Sequence, residues 1–234
     1  MILTAALGLA GVACIMLRPV RLIAKQPFAG FGSKAFASLF FCLAGVAAAL
    51  RRGQLNWQAA ALLMGFCLAA VGDVLLAAEP ILAHPQRDKD YAFLLGAVPF
   101  LLAHGLNLAV LLSRAGTDLL FYALSFVLPA LYLVLWRAGV LNFGKNALPL
   151  IVYAAVLSAM CAAALRLCLR RAGALGWLAL PAVLLLAFSD TALFFFQFGA
   201  KKSGADHFRG AFSWLVMFPY YLGQALMACV VMVV

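Results

Sequence analysis

The sequence contains little charge, and acidic residues are the scarcest charged type. Charged residues make up 10% of its 234 positions, with 7 acidic side chains against 17 basic ones, while 68% of the residues are hydrophobic. A soluble domain of this length carries a much larger charged fraction. The composition therefore excludes a soluble globular protein and indicates a polytopic membrane protein, whose solvent is the bilayer.

Patterns typical of several catalytic and metal-binding classes are also missing. The six cysteines show no C-x-x-C spacing, which argues against a disulfide framework or a thiolate metal site. The three histidines show no H-E-x-x-H pattern, so a zinc site would need ligands from distant segments. The sequence contains no G-x-S-x-G motif, which argues against a serine esterase. We predict no metal ion and no cofactor.

Long apolar stretches divide the chain into candidate membrane helices. A helix needs about 20 apolar residues to cross roughly 30 Å of hydrocarbon. Lipid cannot satisfy backbone hydrogen bonds and the alternating pattern of a barrel strand is absent, so we predict helices throughout. The predicted fold class is an all-α bundle of eight transmembrane helices in a single domain over residues 1–234. The predicted spans are 2–17, 35–50, 57–78, 91–112, 119–135, 147–165, 177–197 and 211–233.

The basic residues behind the net charge of +10 are scattered through the short connections between these stretches. They form no continuous stripe on a soluble domain, so the lipid bilayer is a better partner than nucleic acid. Lys and Arg are more numerous in the odd-numbered loops than in the even ones. This bias favours odd loops in the cytoplasm and both termini outside.

The two halves of the chain, 1–118 and 119–234, are predicted to be approximate repeats. Residues 72–75 align with 189–192 and place the third span on the seventh, and residues 99–106 then align with 219–226. Four spans per half give both halves the same orientation, which is a parallel repeat. Asp73 and Asp190 occupy matching positions, so we expect them to face the same leaflet and to share one cavity.

These two aspartates lie inside apolar stretches, where charge is costly. Insertion scales assign about 2.5–3.5 kcal/mol to an ionised Asp at mid-membrane, and intramembrane acids usually have a function. Hydrocarbon surroundings also favour the uncharged acid. The alternative is structural, because an intramembrane Asp can bond a neighbouring Tyr, Asn or backbone group and lock a bundle.

Polar residues in neighbouring spans are the candidate supporting groups. His104 and Gln224 each follow an aspartate by one span. Each of the two is either functional or structural. In the structural reading His104 is a core histidine whose hydrogen bonds are satisfied, and Gln224 is an interhelical hydrogen-bonding group. Tyr153, Tyr220 and Tyr221 are either functional or ordinary core and interface aromatics.

Five segments with consistent order and spacing resemble the YhhN family of eight-span membrane proteins, whose characterised members include lysoplasmalogenases. The resemblance is clearest from about residue 60 onward. The segments are GDVLLA (72–77), FLLGAVPFLLAH (93–104), LPLIVYAAVLSAM (148–160), FSDTALF (188–194) and PYYLGQAL (219–226). A departure at residues 191–194, after the second aspartate, affects the expected substrate fit more than the chemistry.

The resemblance implies hydrolysis of the vinyl ether bond of a lysoplasmalogen to a fatty aldehyde and glycerophosphoethanolamine or glycerophosphocholine. It assigns catalysis to Asp73 and Asp190, and implies a bacterial inner membrane as the location. The supporting residues that it implies are His104, Tyr153, Tyr220, Tyr221 and Gln224. Vinyl ether cleavage begins with protonation of carbon and continues with attack of water. It therefore needs one neutral carboxylic acid and one carboxylate, a division known from paired-carboxylate glycosidases.

A lysophospholipid substrate also carries a phosphate and a hydrocarbon chain. Basic residues of the odd loops near the aspartates are candidate phosphate ligands, with topology signals as the alternative reading. They are Arg87, Lys89, Lys201, Lys202 and Arg209. Phe194, Phe195 and Phe196 either line an acyl tunnel or pack in the core and against lipid.

A proton-coupled transporter is the alternative function, because membrane aspartates in a repeated bundle also describe an ion pathway. Broken helices near both aspartates would favour it. The prolines and glycines are not concentrated there, so the enzyme remains the preferred hypothesis.

Overall fold

A computed structural model describes residues 2–17, 27–82, 86–170, 173–199 and 205–234, and every long element in these ranges is an α-helix. Within them the only β pairing is an isolated antiparallel bridge between Leu141 and Gly199. The all-α prediction is therefore confirmed. The helices are α1 (Ile2–Met16), α2 (Pro27–Arg52), α3 (Trp57–Leu82), α4 (Gln86–Ala115), α5 (Leu119–Ser125), α6 (Val127–Arg137), α7 (Ala147–Arg170), α8 (Ala174–Phe198) and α9 (Ala205–Val230), with a 3-10 turn at Gly144–Asn146.

Six helical stretches of the described chain are long and apolar enough to cross a membrane. Two shorter apolar helices, Ile2–Met16 and Trp214–Val230, complete the set of apolar segments. Several helices extend beyond the predicted apolar cores, because a helix can continue past the hydrocarbon where polar residues are tolerated. The six stretches are Gly32–Arg52, Trp57–Ala78, Phe93–Ala115, Leu119–Arg137, Gly144–Arg170 and Ala174–Phe198. Their length and composition are those of an integral membrane protein.

The fifth predicted span, 119–135, is not one continuous helix but α5 followed by α6, with the break at Phe126. Pro129 has no backbone N–H and cannot continue the ladder of α5. The break separates the carbonyl of Leu124 from the N–H of Leu128, which would pair in an unbroken helix. The Ser158 hydroxyl of α7 donates to the Leu124 oxygen at 2.7 Å and accepts from the Leu128 nitrogen at 3.2 Å. A neighbouring side chain thus satisfies groups that lipid would leave unpaired.

The chain divides into two compact units. The first comprises Met1–Asn107 and Gln224–Val234, and the second comprises Leu108–Gly223. In the first unit glycines let aromatic rings approach the helix backbone. A Cβ atom on Gly45 of α2 would lie 2.7 Å from the ring of Phe66, and one on Gly72 of α3 would lie 2.6 Å from the ring of Phe100. Such close packing holds membrane helices together without a hydrophobic driving force, and it fixes α3 immediately before Asp73.

In the second unit α7 is the central helix and packs against α5, α6 and α8. One end of α7 is fixed by an ion pair that sequence analysis did not identify. Arg166 is almost fully buried, and its Nη1 lies 2.6 Å from Asp118 Oδ1, while the exposed Arg170 pairs with the other oxygen of Asp118. Asp118 also caps α5 by accepting a hydrogen bond from the Phe121 nitrogen. The start of α5 and the end of α7 are therefore held by the same carboxylate.

Candidate active site

Asp190 lies on α8 and forms a hydrogen bond with a residue that the sequence also predicted. The hydroxyl of Tyr153, on α7, donates to Asp190 Oδ2 at 2.7 Å. Both side chains are buried, with Asp190 6% exposed. A hydroxyl donor aimed at a carboxyl oxygen fixes the orientation of the carboxyl group. The structure thus joins two of the predicted site residues.

An aromatic cluster surrounds this pair. Phe194, one turn after Asp190 on α8, packs edge-on against Tyr153 and Tyr132, with ring centroids 5.1 and 5.9 Å away. Phe143 and Phe198 extend the cluster on its far side. Packed rings hold the Tyr153 hydroxyl in place.

Tyr132 and Thr191 are site residues that sequence analysis missed. The Tyr132 hydroxyl donates to Thr191 Oγ1 at 3.1 Å, directly beside Asp190 in the chain. Tyr132 lies in an apolar stretch where its polar group gave no periodic or motif signal. Only the packing of α6 against α7 and α8 reveals that the hydroxyl lies at this position.

Asp73 on α3 has a different hydroxyl partner. Ser38 Oγ, on α2, lies 2.5 Å from Asp73 Oδ2 and also 2.9 Å from the carbonyl oxygen of Lys34. The Asp73 side chain is 5% exposed. A serine hydroxyl has one proton and can also accept. It can therefore donate to an ionised Asp73, or accept from a neutral Asp73 while it donates to the Lys34 carbonyl.

Ser189 precedes Asp190 in the chain and forms a hydrogen bond with the backbone of another helix. Its hydroxyl donates to the carbonyl oxygen of Val216 on α9 at 2.8 Å. This bond ties α8 to α9 beside the aspartate.

The other predicted supporting residues are buried. His104 of α4 and Gln224 of α9 belong to the first compact unit, and Tyr220 and Tyr221 of α9 belong to the second. The two tyrosine rings contact each other edge-on, with centroids 4.9 Å apart. The functional roles of these four residues stay predictions.

The proposed phosphate ligands are placed differently from the prediction. Arg87 and Lys89 lie in the first turn of α4, and Arg209 lies in α9, so these three are helical rather than loop residues. The helices continue past the apolar core that defined the predicted spans, and the side chains of all three lie outside the described part of the structure. Lys201 and Lys202 lie outside the described residues altogether. Phosphate binding by these five residues stays a prediction.

The three phenylalanines after Asp190 have different environments. Phe194 is buried in the aromatic cluster, whereas Phe195 and Phe196 are exposed on α8. Core packing and lipid-facing positions therefore account for them, as one of the two readings of the sequence expected. Among the side chains that the structure describes, no group of three His, Cys, Asp or Glu residues is placed to hold a metal ion.

Comparisons with known proteins identify the family of the chain. No curated protein and no solved structure matches the chain. The model of the YhhN family matches residues 3–231, which includes the first sixty residues that contributed little to the resemblance of the motifs. Because the match covers nearly the whole sequence, the chain belongs to the YhhN family.

Proposed function

We propose that this protein is a lysoplasmalogenase-like ether hydrolase, which cleaves the vinyl ether bond of lysoplasmalogens to a fatty aldehyde and glycerophosphoethanolamine or glycerophosphocholine. The observation that carries the proposal is a buried aspartate paired with a hydroxyl group in each compact unit. Membership of the YhhN family supports the same activity. The proposed location is a bacterial inner membrane.

The proposal includes eight membrane crossings arranged as a parallel repeat. Two matching hydrogen bonds support the repeat, because each aspartate bonds a hydroxyl on the preceding helix at similar sequence separation. Asp73 lies 35 residues after Ser38, and Asp190 lies 37 residues after Tyr153. The proposed mechanism assigns one chemical role to each aspartate.

The hydrogen bonds suggest which aspartate performs which step. Asp73 is the proposed acid, because Ser38 can accept a hydrogen bond from its neutral form while the Ser38 hydroxyl donates one to the Lys34 carbonyl. Asp190 is the proposed carboxylate, because Tyr153 donates to it. Asp73 gives its proton to the vinyl carbon and leaves an oxocarbenium ion, which the Asp190 carboxylate stabilises.

Water then completes the reaction. The water oxygen bonds to the oxocarbenium carbon while Asp190 takes a proton from the water molecule. The product is a hemiacetal. The carbon–oxygen bond to glycerol breaks, the glycerol oxygen takes the hydroxyl proton, and the aldehyde leaves. The proton on Asp190 returns through water to Asp73. One water molecule is consumed and no cofactor is required.

A proton-coupled transporter is the second candidate, and the break at Phe126 is the observation that favours it. Discontinuous helices of transporters usually occur at corresponding places in both repeats. The counterpart of the fifth span is α1, which is continuous from Ile2 to Met16. The Ser158 hydroxyl also hydrogen-bonds the backbone groups freed by the break, so these groups are not left to coordinate an ion. The hydrolase proposal agrees better with these contacts.

The test measures the products released by the purified protein in lipid nanodiscs, which are an aldehyde from a vinyl ether and a fatty acid from an ester. The substrates are three lysolipids with the same headgroup and chain, joined by a vinyl ether, an alkyl ether or an ester bond. The expected result is aldehyde from the vinyl ether alone. Comparable cleavage of the ester would indicate an esterase, and no cleavage of any of the three would reject the hydrolase proposal.

A further inference from the structure

An apolar groove of the second compact unit lies beside the break between α5 and α6. The groove has a volume of about 540 Å³ and lies between the broken span, α7 and α8. Leu124 and Leu128 form one wall, Cys161 and Leu165 of α7 form the floor, and α8 forms the other wall from Leu180 to Thr191. A volume of this size lies in the range of about 300–1,000 Å³ typical of small-molecule sites.

The polar groups at the groove already have partners within the protein. Ser158 bonds both ends of the helix break, and Thr191 accepts from Tyr132. The rest of the lining is apolar or a cysteine thiol. An occupant therefore needs no hydrogen-bonding groups along its length, which describes a hydrocarbon chain better than a peptide or a sugar.

The length of the groove matches a single lipid chain. Thr191 follows Leu180 by eleven residues, a rise of about 16 Å along α8. Half of the roughly 30 Å hydrocarbon core is about 15 Å. A chain that spans one leaflet therefore fits the groove from end to end. Leu184 and Phe188 of the same wall are about half exposed, so the groove opens on the outer surface of this unit.

One end of the groove lies at Thr191, which adjoins the candidate active site. Thr191 is the residue after Asp190, and the Tyr132 that bonds Thr191 also packs on Phe194. Phe194 in turn contacts the Tyr153 that donates to Asp190. The other end, at Leu165 and Leu180, lies more than two helical turns away from the aspartate.

We propose that this groove holds the hydrocarbon chain of the lipid substrate, with the scissile bond at the Thr191 end and the terminal methyl group between Leu165 and Leu180. The inference rests on the proposed function for the identity of the chain. It adds a subsite that measures chain length, because a chain longer than the groove leaves carbons outside it and a shorter one leaves the distal end unfilled.

The first test is a Cys161→Phe variant, which fills the middle of the groove. Its matched control is Val152→Phe on the same helix, at an exposed position that does not line the groove. With a vinyl ether lysolipid of sixteen carbons, Cys161→Phe should raise KM about tenfold, since several methylene groups lose their buried contacts. With an eight-carbon substrate KM should change less than about twofold. Val152→Phe should change neither. If the variant still releases aldehyde and KM rises equally for both chain lengths, the groove proposal is contradicted and the hydrolase proposal is not.

The second test does not require turnover. An uncleavable alkyl ether lysophospholipid with a photoreactive diazirine at its last carbon is incubated with the protein in nanodiscs, illuminated and mapped by mass spectrometry. Labels should fall on the segments around Leu165 and Leu180 and decrease in Cys161→Phe but not in Val152→Phe. Labelling of these segments without aldehyde release by the wild type would support the groove proposal and reject the hydrolase proposal. Labels elsewhere would overturn the groove whatever the activity.

Discussion

The two aspartate sites share a geometry but differ in what surrounds them. In each compact unit a buried carboxyl group bonds a hydroxyl on the preceding helix. Around Asp73 the hydroxyl belongs to a serine that also contacts a backbone carbonyl, while around Asp190 it belongs to a tyrosine enclosed by aromatic rings. The two carboxyl groups therefore have different hydrogen-bonding partners, and the proposed acid and base roles depend on this difference.

The largest expected effect comes from removing either acid. Asp73→Asn and Asp190→Asn should each lower kcat for vinyl ether cleavage by about 10²–10⁴-fold, the usual contribution of an acid–base group. The protein should still insert and purify, because Asn keeps the size and much of the hydrogen bonding of Asp.

Asp118→Asn is the matched control for these variants, since it removes a carboxylate outside the proposed chemistry. It weakens the ion pair with Arg166 and should lower the thermal unfolding temperature while kcat of the folded protein stays near that of the wild type. A wild-type rate in Asp73→Asn or Asp190→Asn would remove that residue from the mechanism.

Chemical rescue tests the proposed difference between the sites. Formate is almost entirely ionised near pH 7, so it can replace a missing carboxylate base but supplies little neutral acid. Adding formate should raise the rate of Asp190→Ala about tenfold or more and leave Asp73→Ala nearly unchanged. The reverse pattern would exchange the two roles, and equal rescue would show that the hydrogen-bonding partners do not assign them.

A smaller effect is expected from the hydroxyl partners. Tyr153→Phe removes the donor to Asp190 and should lower kcat by about tenfold, since a hydrogen bond to a charged group contributes about 1.5–3 kcal/mol. Ser38→Ala should have an effect of similar or smaller size. Tyr122→Phe on α5 is the control, because this tyrosine is exposed. A Tyr153→Phe enzyme as fast as the control would show that the bond is structural.

The smallest effect concerns stability rather than turnover. Ser158→Ala leaves the Leu124 carbonyl and the Leu128 N–H at the break without their partner, at a cost of about 1–3 kcal/mol in unfolding free energy. Ser113→Ala, at the end of α4, removes only a hydroxyl that bonds its own helix and should cost less. Reversible denaturation of both variants in the same detergent measures the difference. Equal losses would mean that Ser158 does not support the break.

Much of the fold could be predicted from composition, and less of the site. The apolar runs predicted the helices because backbone hydrogen bonds must be satisfied within lipid. Pro129 is a sequence sign of the break at Phe126, but a continuous apolar run gives no sign that Ser158, thirty residues later, replaces a backbone bond. Asp73 and Asp190 were found because a carboxyl group in hydrocarbon is costly.

The partners of these aspartates were harder to find. Tyr153 was among the candidates because the motif around it resembles a family, but Ser38 has no such motif and is brought to Asp73 only by helix packing. Arg166 directly follows the predicted span 147–165, where a basic residue is typical of a connecting loop. Its burial beside Asp118 depends on how α5 and α7 pack together, which the sequence does not show.

The central claim is that Asp73 and Asp190 act on one bond as a pair, and a double-mutant comparison tests it most directly. Aldehyde release is measured for wild type, Asp73→Asn, Asp190→Asn and the double variant. Residues that act as a unit show strongly non-additive losses, so the double variant should be about as slow as the slower single variant. A double variant slower by the product of the two single losses would contradict the account.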